Sequence, residues 1–257
     1  MEQARLIKEG KLAYLTVNNP PVNALNYEVL DALEQAVDEL AKDEEVLVVI
    51  LSGEGDKAFV AGADISEFPK LGREDGEKVS GKGQEIFQKL SRLPQVVISA
   101  VHGFALGGGL ELAASSDIRI LSKDARLGVP EVTLGVLPGY GGTQLLPRLL
   151  PEGKAKELIF TGSMIEAEEA YRLGLGDYLV ESGELMDKAK EVAKKIAKNG
   201  PLAVKAAKKA VNEGRDKPLD EGLKLEATKF GELCTTEDKN EGANAFLEKR
   251  KPEFKGK

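Results

Sequence analysis

The chain holds one cysteine, Cys234, one histidine, His102, and no tryptophan among its 257 residues. A lone thiol excludes an intrachain disulfide and suits a reducing compartment. With one histidine and one cysteine, clustered His/Cys zinc sites of the usual spacing are excluded as well, and no metal is expected. No G-x-S-x-G elbow occurs, which argues against a hydrolase of that type. No apolar run approaches the roughly 18 residues needed to cross a bilayer. The opening MEQARLIKEGKL lacks the basic-then-apolar order of a secretion signal. These absences predict a cytoplasmic protein that neither enters nor binds a membrane.

Positive charge is also scarce: 36 basic residues against 43 acidic ones leave a formal charge of −7. The average field repels nucleic acid and anionic lipid, so no nucleic-acid partner is expected. The exception is residues 188–209, where Lys188, Lys190, Lys194, Lys195, Lys198, Lys205, Lys208 and Lys209 face Glu191 as the only acid. A solvated face of surface helices accounts for this run; an anion patch is the alternative. The stretch GEKVSGKG at residues 76–83 imitates a phosphate-binding G-x-x-x-x-G-K loop, but Gly83 stands where Ser or Thr would hold magnesium, and no apolar strand precedes it. A nucleotide loop is therefore rejected.

What is present is an alternation of buried strands, glycine-bearing loops and helices. RLIKEGKLAYLTV reads as a hairpin around Glu9-Gly10. Val29, Leu30, Leu33, Val37 and Leu40 recur at helical spacing after about Asn26. VLVVILSG at 46–53 is a continuous β-branched run, as is VVISAV before His102, and both suit strands buried on two faces. A polar stretch leads to a helix at 84–90, DIRILS reads as a further strand, and LGVPEVTLGVLPGYGGTQ as a long loop. From about Glu166 the patterns are mainly amphipathic helices, including 185–198 and 202–211, with Gly200-Pro201 as a break. The pattern predicts an α/β core over residues 1–195 and a helical region over 196–257.

HGFALGGGLELAASSD carries three consecutive glycines where a helix starts, near Gly107. The first amides of a helix lack intrahelical acceptors, the dipole makes that end positive, and glycine lets another molecule approach. Gly108 N–H is thus a candidate donor to an oxygen carrying negative charge. Glu111, three residues on, shares that helical face and leans toward the helix start. Close packing of helix on strand is the competing account of the glycines. FVAGADI offers a second tight turn after a buried strand, where Ala63 N–H is a candidate second donor to the same oxygen; two amides aimed at one oxygen form an oxyanion hole. Pro130 holds the backbone before Glu131, a second acid, in the long loop; two carboxylates in one apolar cleft can divide acid and base roles.

Taken together, AFVAGADI, HGFALGGGLELAASSDIRI and GVPEVTLGVLPGYGGTQLLPR closely resemble, in order and spacing, the motifs of the enoyl-CoA hydratase (crotonase) family. The resemblance runs from about Leu12 to AFLEKRKPEF near the C-terminus. It implies a crotonase-like spiral of ββα units with a C-terminal helical trimerisation region, assembled as a homotrimer or homohexamer. It implies an acyl-CoA thioester substrate whose carbonyl sits between the amides of Ala63 and Gly108, and the hydration of 2,3-enoyl thioesters. By the resemblance Glu111 takes a proton from water attacking C3, Glu131 delivers one to C2, and the Gly139 amide helps hold the water. Ala24, Ala61 and Asp64 match positions near the CoA nucleotide, and Phe246 and Lys249 match a segment that closes over an acyl-CoA site, sometimes a neighbour's. No metal or redox cofactor is implied, since CoA belongs to the substrate. Leu145 stands where many hydratases carry arginine, and Tyr140 is larger than the residue often found there. An isomerase, a hydrolase or decarboxylase of the same fold, and a non-catalytic RNA-binding scaffold are the rival readings.

Overall fold

The computed structural model describes residues 3–66 and 68–257. Ten strands follow in chain order: β1 (Ala4–Glu9), β2 (Leu12–Val17), β3 (Val48–Gly53), β4 (Ala58–Val60), β5 (Val96–Val101), β6 (Phe104–Leu106), β7 (Ile118–Ser122), β8 (Arg126–Gly128), β9 (Met164–Glu166) and β10 (Tyr178–Val180). The larger sheet has the order β1-β2-β3-β5-β7-β10, parallel except for the β1-β2 hairpin, and the smaller one the order β4-β6-β8-β9. From β3 onward, three successive turns of the chain each lay one strand in each sheet before a helix follows. β3 and β4 precede α2 (Arg73–Ser91), and β5 and β6 precede α3 (Gly108–Ala114). β7 and β8 precede a 3-10 turn at Pro130–Leu134 and α4 (Gly142–Leu149). That repetition is the expected spiral of ββα units.

The strand chemistry explains the layering. In β5 all six residues are buried. Val97 and Val101 join Val49 and Leu51 in one apolar core, while Val96, Ile98 and Ala100 join Val48 and Ile50 in another. Period-two alternation sends neighbours to opposite faces, so a strand covered on both sides reads as an unbroken apolar run. The first core is completed by α1 (Tyr27–Ala41), through Val29, Leu30, Leu33, Val37 and Leu40. Asn26 starts that helix by accepting Val29 N–H at 2.8 Å. The second core is closed by α7 (Leu185–Ala197), through Leu185, Ala189, Val192 and Ala193.

Two expectations are corrected. The helix read at 84–90 begins at Arg73, because Glu74 and Asp75 favour its first turn and a side chain at Gly76 or Gly81 would meet open space. The phosphate-loop mimic therefore lies within a continuous helix. The long loop after β7 contains β8, the 3-10 turn and the start of α4, which pair or cap too briefly to leave a periodic pattern. The C-terminal part comprises α5 (Glu152–Thr161), α6 (Ala167–Arg172), α7, α8 (Pro201–Gly214), α9 (Leu219–Leu233) and α10 (Glu237–Leu247), interrupted by β9 and β10. The division at 195/196 falls inside α7, and the chain turns at Gly200 into α8. Among the described residues no helix is long and apolar enough to cross a membrane.

Candidate active site

The successive loops of the spiral meet at a cleft of about 710 Å³ lined by Ala63, Gly108, Glu111, Glu131, Gly139 and Tyr140. The five residues that sequence assigned to the chemistry thus share one cavity. Apolar side chains of Phe68, Leu71, Val79, Leu134 and Leu137 form much of the remaining wall.

Each of the three glycines has a local cause. Gly107 caps α3 with φ +51°, and a Cβ there would lie 2.4 Å from Glu131 Oε1. Gly109 brings the helix against β4, where a Cβ would lie 1.9 Å from the Val60 carbonyl oxygen. The packing account of the motif is therefore correct for Gly109. It leaves Gly108 at the first helical position, where no intrahelical acceptor exists for its N–H. On the facing loop Leu25 N–H donates to Gly62 O at 2.8 Å and Asp64 N–H to Leu25 O at 2.9 Å. This bridge uses the peptide groups on either side of Ala63. Among the described residues neither Ala63 N–H nor Gly108 N–H donates to another backbone group.

Glu111 is 1% exposed. Its Oε1 accepts Tyr140 N–H at 2.9 Å and Gly142 N–H at 2.6 Å. Burial pushes its carboxyl up to about 7, with the charge of Glu131 adding to the rise and the two amides opposing it. Glu131 follows Pro130 in the 3-10 turn and is half-buried; its Oε2 has no hydrogen-bond partner, and desolvation raises its carboxyl too. Two acids lining one cleft thus hold their protons more tightly than free glutamate. A cleft with paired amides for an oxyanion and paired proton-transfer groups can support addition or elimination of water next to a carbonyl.

The positions matched to CoA do not line this cleft. Asp64 borders a small adjoining groove with Phe68, Leu71, Val79 and Tyr140, and its carboxylate caps a turn by accepting Ser66 N–H at 2.9 Å. That hydrogen bond holds the Asp64 carboxyl below its ordinary range. Ala61 N–H donates to Val22 O, and Ala24 O accepts from Asn19 Nδ2. Phe246 and Lys249 lie at the far end of α10, with Phe246 83% exposed. Sequence reasoning missed Asn23, buried at φ +56°, whose amide nitrogen donates to Glu54 O and Ala58 O and so ties the 18–25 loop to β4. It also missed the Tyr140 and Gly142 amides that receive Glu111, since a backbone donor has no residue-type signature.

Known proteins resemble this chain in sequence and in fold. A sequence model described as Enoyl-CoA hydratase/isomerase matches residues 8–257. A short-chain-enoyl-CoA hydratase of Clostridium acetobutylicum is 51% identical over 96% of this chain and 95% of its own. A crotonyl-CoA hydratase of Syntrophomonas wolfei is 44% identical over 98% of each. The crystal structure of an enoyl-CoA hydratase from Bacillus anthracis superposes with a TM-score of 0.96 at 39% identity, covering 99% of this chain and 100% of that one. With a family match, high identity and a shared fold that each extend along nearly its whole length, the chain belongs to the enoyl-CoA hydratase/isomerase family.

Proposed function

We propose that the protein adds water across the 2,3 double bond of trans-2-enoyl-CoA thioesters to give 3-hydroxyacyl-CoA. The observation that carries this reading is the pairing, in one cleft, of a buried and a half-buried carboxyl with two amides that lack backbone acceptors. Attack of water at C3 moves the π electrons toward the thioester oxygen, which Ala63 N–H and Gly108 N–H receive as it becomes an enolate oxygen. Glu111 takes the proton of the attacking water, and Glu131 gives its proton to C2 as the enolate collapses. The net change is one water added, and return of a proton from Glu111 to Glu131 through solvent resets the pair. Mutual repulsion favours the singly protonated state that this requires. Gly139 N–H helps hold the water.

The charge falls on amides and both protons on carboxyls, so the reaction calls on no metal or redox cofactor. The CoA nucleotide lies along the loop of Ala24, Ala61 and Asp64. Phe246 and Lys249 of a neighbouring copy close over it in a homotrimer or homohexamer in the cytoplasm.

The test is loss of the enoyl-thioester absorbance of crotonyl-CoA, with Glu111→Gln and Glu131→Gln alongside. Each substitution is expected to cost about 10² to 10⁴ in rate while acyl-CoA binding persists. If wild-type protein leaves crotonyl-CoA intact but converts a trans-3-enoyl-CoA into the conjugated thioester, the hydratase reading fails and the isomerase takes its place.

A further inference from the structure

Ser80 and Gln84 lie one helical turn apart on α2, outside the motifs that carry the family likeness. Ser80 Oγ donates to Gly139 O at 2.6 Å, and Gln84 Nε2 donates to the same oxygen at 2.9 Å and to Ser80 Oγ at 2.9 Å. That carbonyl and Tyr140 N–H are the two ends of one planar peptide unit. The N–H end donates to Glu111 Oε1. A continuous chain of hydrogen bonds therefore runs from the two α2 side chains, through a single peptide, to the buried carboxyl.

We propose that Ser80 and Gln84 are positioning residues for Glu111, orienting and polarising the Gly139–Tyr140 peptide whose N–H the carboxylate accepts. Two donors on a carbonyl oxygen draw electron density toward it and make the opposite N–H a stronger donor; Ser80 is half-buried and Gln84 exposed, while the N–H end of the peptide meets Glu111 in the buried interior. They also fix the plane of a peptide in a loop rich in glycine, so its N–H keeps its aim at Oε1. Ser80 itself lines the cleft, which puts the clamp beside the space an acyl chain occupies. The inference rests on the reading of Glu111 as the catalytic base.

The groups facing Glu111 define what the clamp works against. Glu131 approaches from the 3-10 turn and repels the ionised form. The Tyr140 ring lies on the same loop with its phenol pushed up to about 12 by burial, so it stays neutral. Arg73 lines the same cleft and is exposed, paired with Glu77 at 3.0 Å. Weakening the Tyr140 donor leaves the carboxylate less supported, so Glu111 holds its proton to higher pH.

The experiment compares wild type with Ser80→Ala, Gln84→Met, the double variant and Ser80→Thr, which restores a hydroxyl. Two readouts are taken: the acid limb of kcat/KM against pH on crotonyl-CoA, and the titration of the Glu111 carboxyl carbon by ¹³C NMR, its signal identified by its loss in Glu111→Gln. In the double variant both midpoints are expected to move up by about half to one pH unit. Below the limb that shift is a fall of about three- to tenfold in kcat/KM. Ser80→Thr restores the wild-type midpoint. Unmoved midpoints in folded variants, with activity lower by the same factor at every pH, would mean that Ser80 and Gln84 only pack the loop, and the proposal falls. If instead Glu111→Gln keeps full hydratase activity, the reading of Glu111 as base falls and takes this role with it. The NMR midpoint then still reports whether the peptide link exists.

Discussion

Glu111 destabilises the fold in its ionised state, the state the proposed mechanism uses. Its carboxyl sits at about 7 in the folded protein against 4.5 for a free side chain, so between those values the folded state binds more protons than the unfolded one. Stability from this group is therefore lost as pH rises from 4.5 to 7, and the full cost, about 3 kcal/mol, is present above 7. Glutamine keeps an acceptor for the Tyr140 and Gly142 amides without the charge. Glu111→Gln is accordingly expected to match wild type near pH 4.5 and to exceed it at pH 8, as read by paired thermal melts. A melting difference that is flat with pH would show that Glu111 does not titrate in this window. The glycines separate by role in the same way. Gly109→Ala pushes a methyl into the Val60 carbonyl and should destabilise by about 1 to 3 kcal/mol or more in urea unfolding. Gly107→Ala meets the Glu131 carboxylate at positive φ, so activity is expected to fall beyond what its melting shift explains. Both acids were legible in sequence because a carboxylate set among glycines and apolar residues stands out by residue type. Their surroundings were not, because Tyr140 and Gly142 act through amides that every residue possesses.

Long runs revealed elements and short ones did not. β3 and β5 were legible from unbroken β-branched stretches, and α1 from five apolar residues at helical spacing. β8, β9 and β10 have three residues each, fewer than one cycle of any reliable pattern, and exist because neighbouring strands offer partners. The first half of α2 was hidden by Gly76, Gly81 and a polar surface. The lysine run shows the opposite failure, a motif that looked uniform and is not. Lys188 lies over the Tyr178 ring and Lys190 over Tyr14, while Lys195 pairs with Glu191. Lys208 is buried, its side chain 7% exposed, and donates to Gln95 O and Asp117 Oδ2 at 2.7 Å each. Since Asp117 Oδ2 also accepts Val97 N–H, this lysine fastens α8 to β5. Lys208→Met strands a partly buried carboxylate and should cost about 3 kcal/mol. Adding Asp117→Asn should return part of that loss, as a double-mutant cycle in urea would measure. Simple additivity of the two changes would show that the pair does not couple.

At the scale of the whole molecule, the spiral buries its central strands β3, β5 and β7 and leaves apolar residues exposed on its C-terminal helices. Leu219, Leu223 and Phe230 recur at intervals of four and seven on α9, which places them within about 40° on one helical face, and all three are exposed. Phe246 and Leu247 at the end of α10 are exposed as well. α9 meets α8 along a neighbouring side, where Gly222 and Gly214 approach closely, and among the described residues the apolar stripe stays exposed. A stripe of this kind seldom remains in water on a soluble protein. Closed cyclic assembly of identical chains would cover it and bring a neighbour's Phe246 and Lys249 toward an acyl-CoA site that they do not reach in their own chain. If the chains assemble through this stripe, Leu223→Glu with Phe230→Glu is expected to leave monomers where the wild type sediments as an oligomer. It should also raise KM for crotonyl-CoA more than it lowers kcat, because Glu111 and Glu131 stay in place while the cover over CoA is lost. A double variant that sediments with wild type would assign the stripe to some other contact. One that dissociates with KM unchanged would show that each chain binds CoA alone.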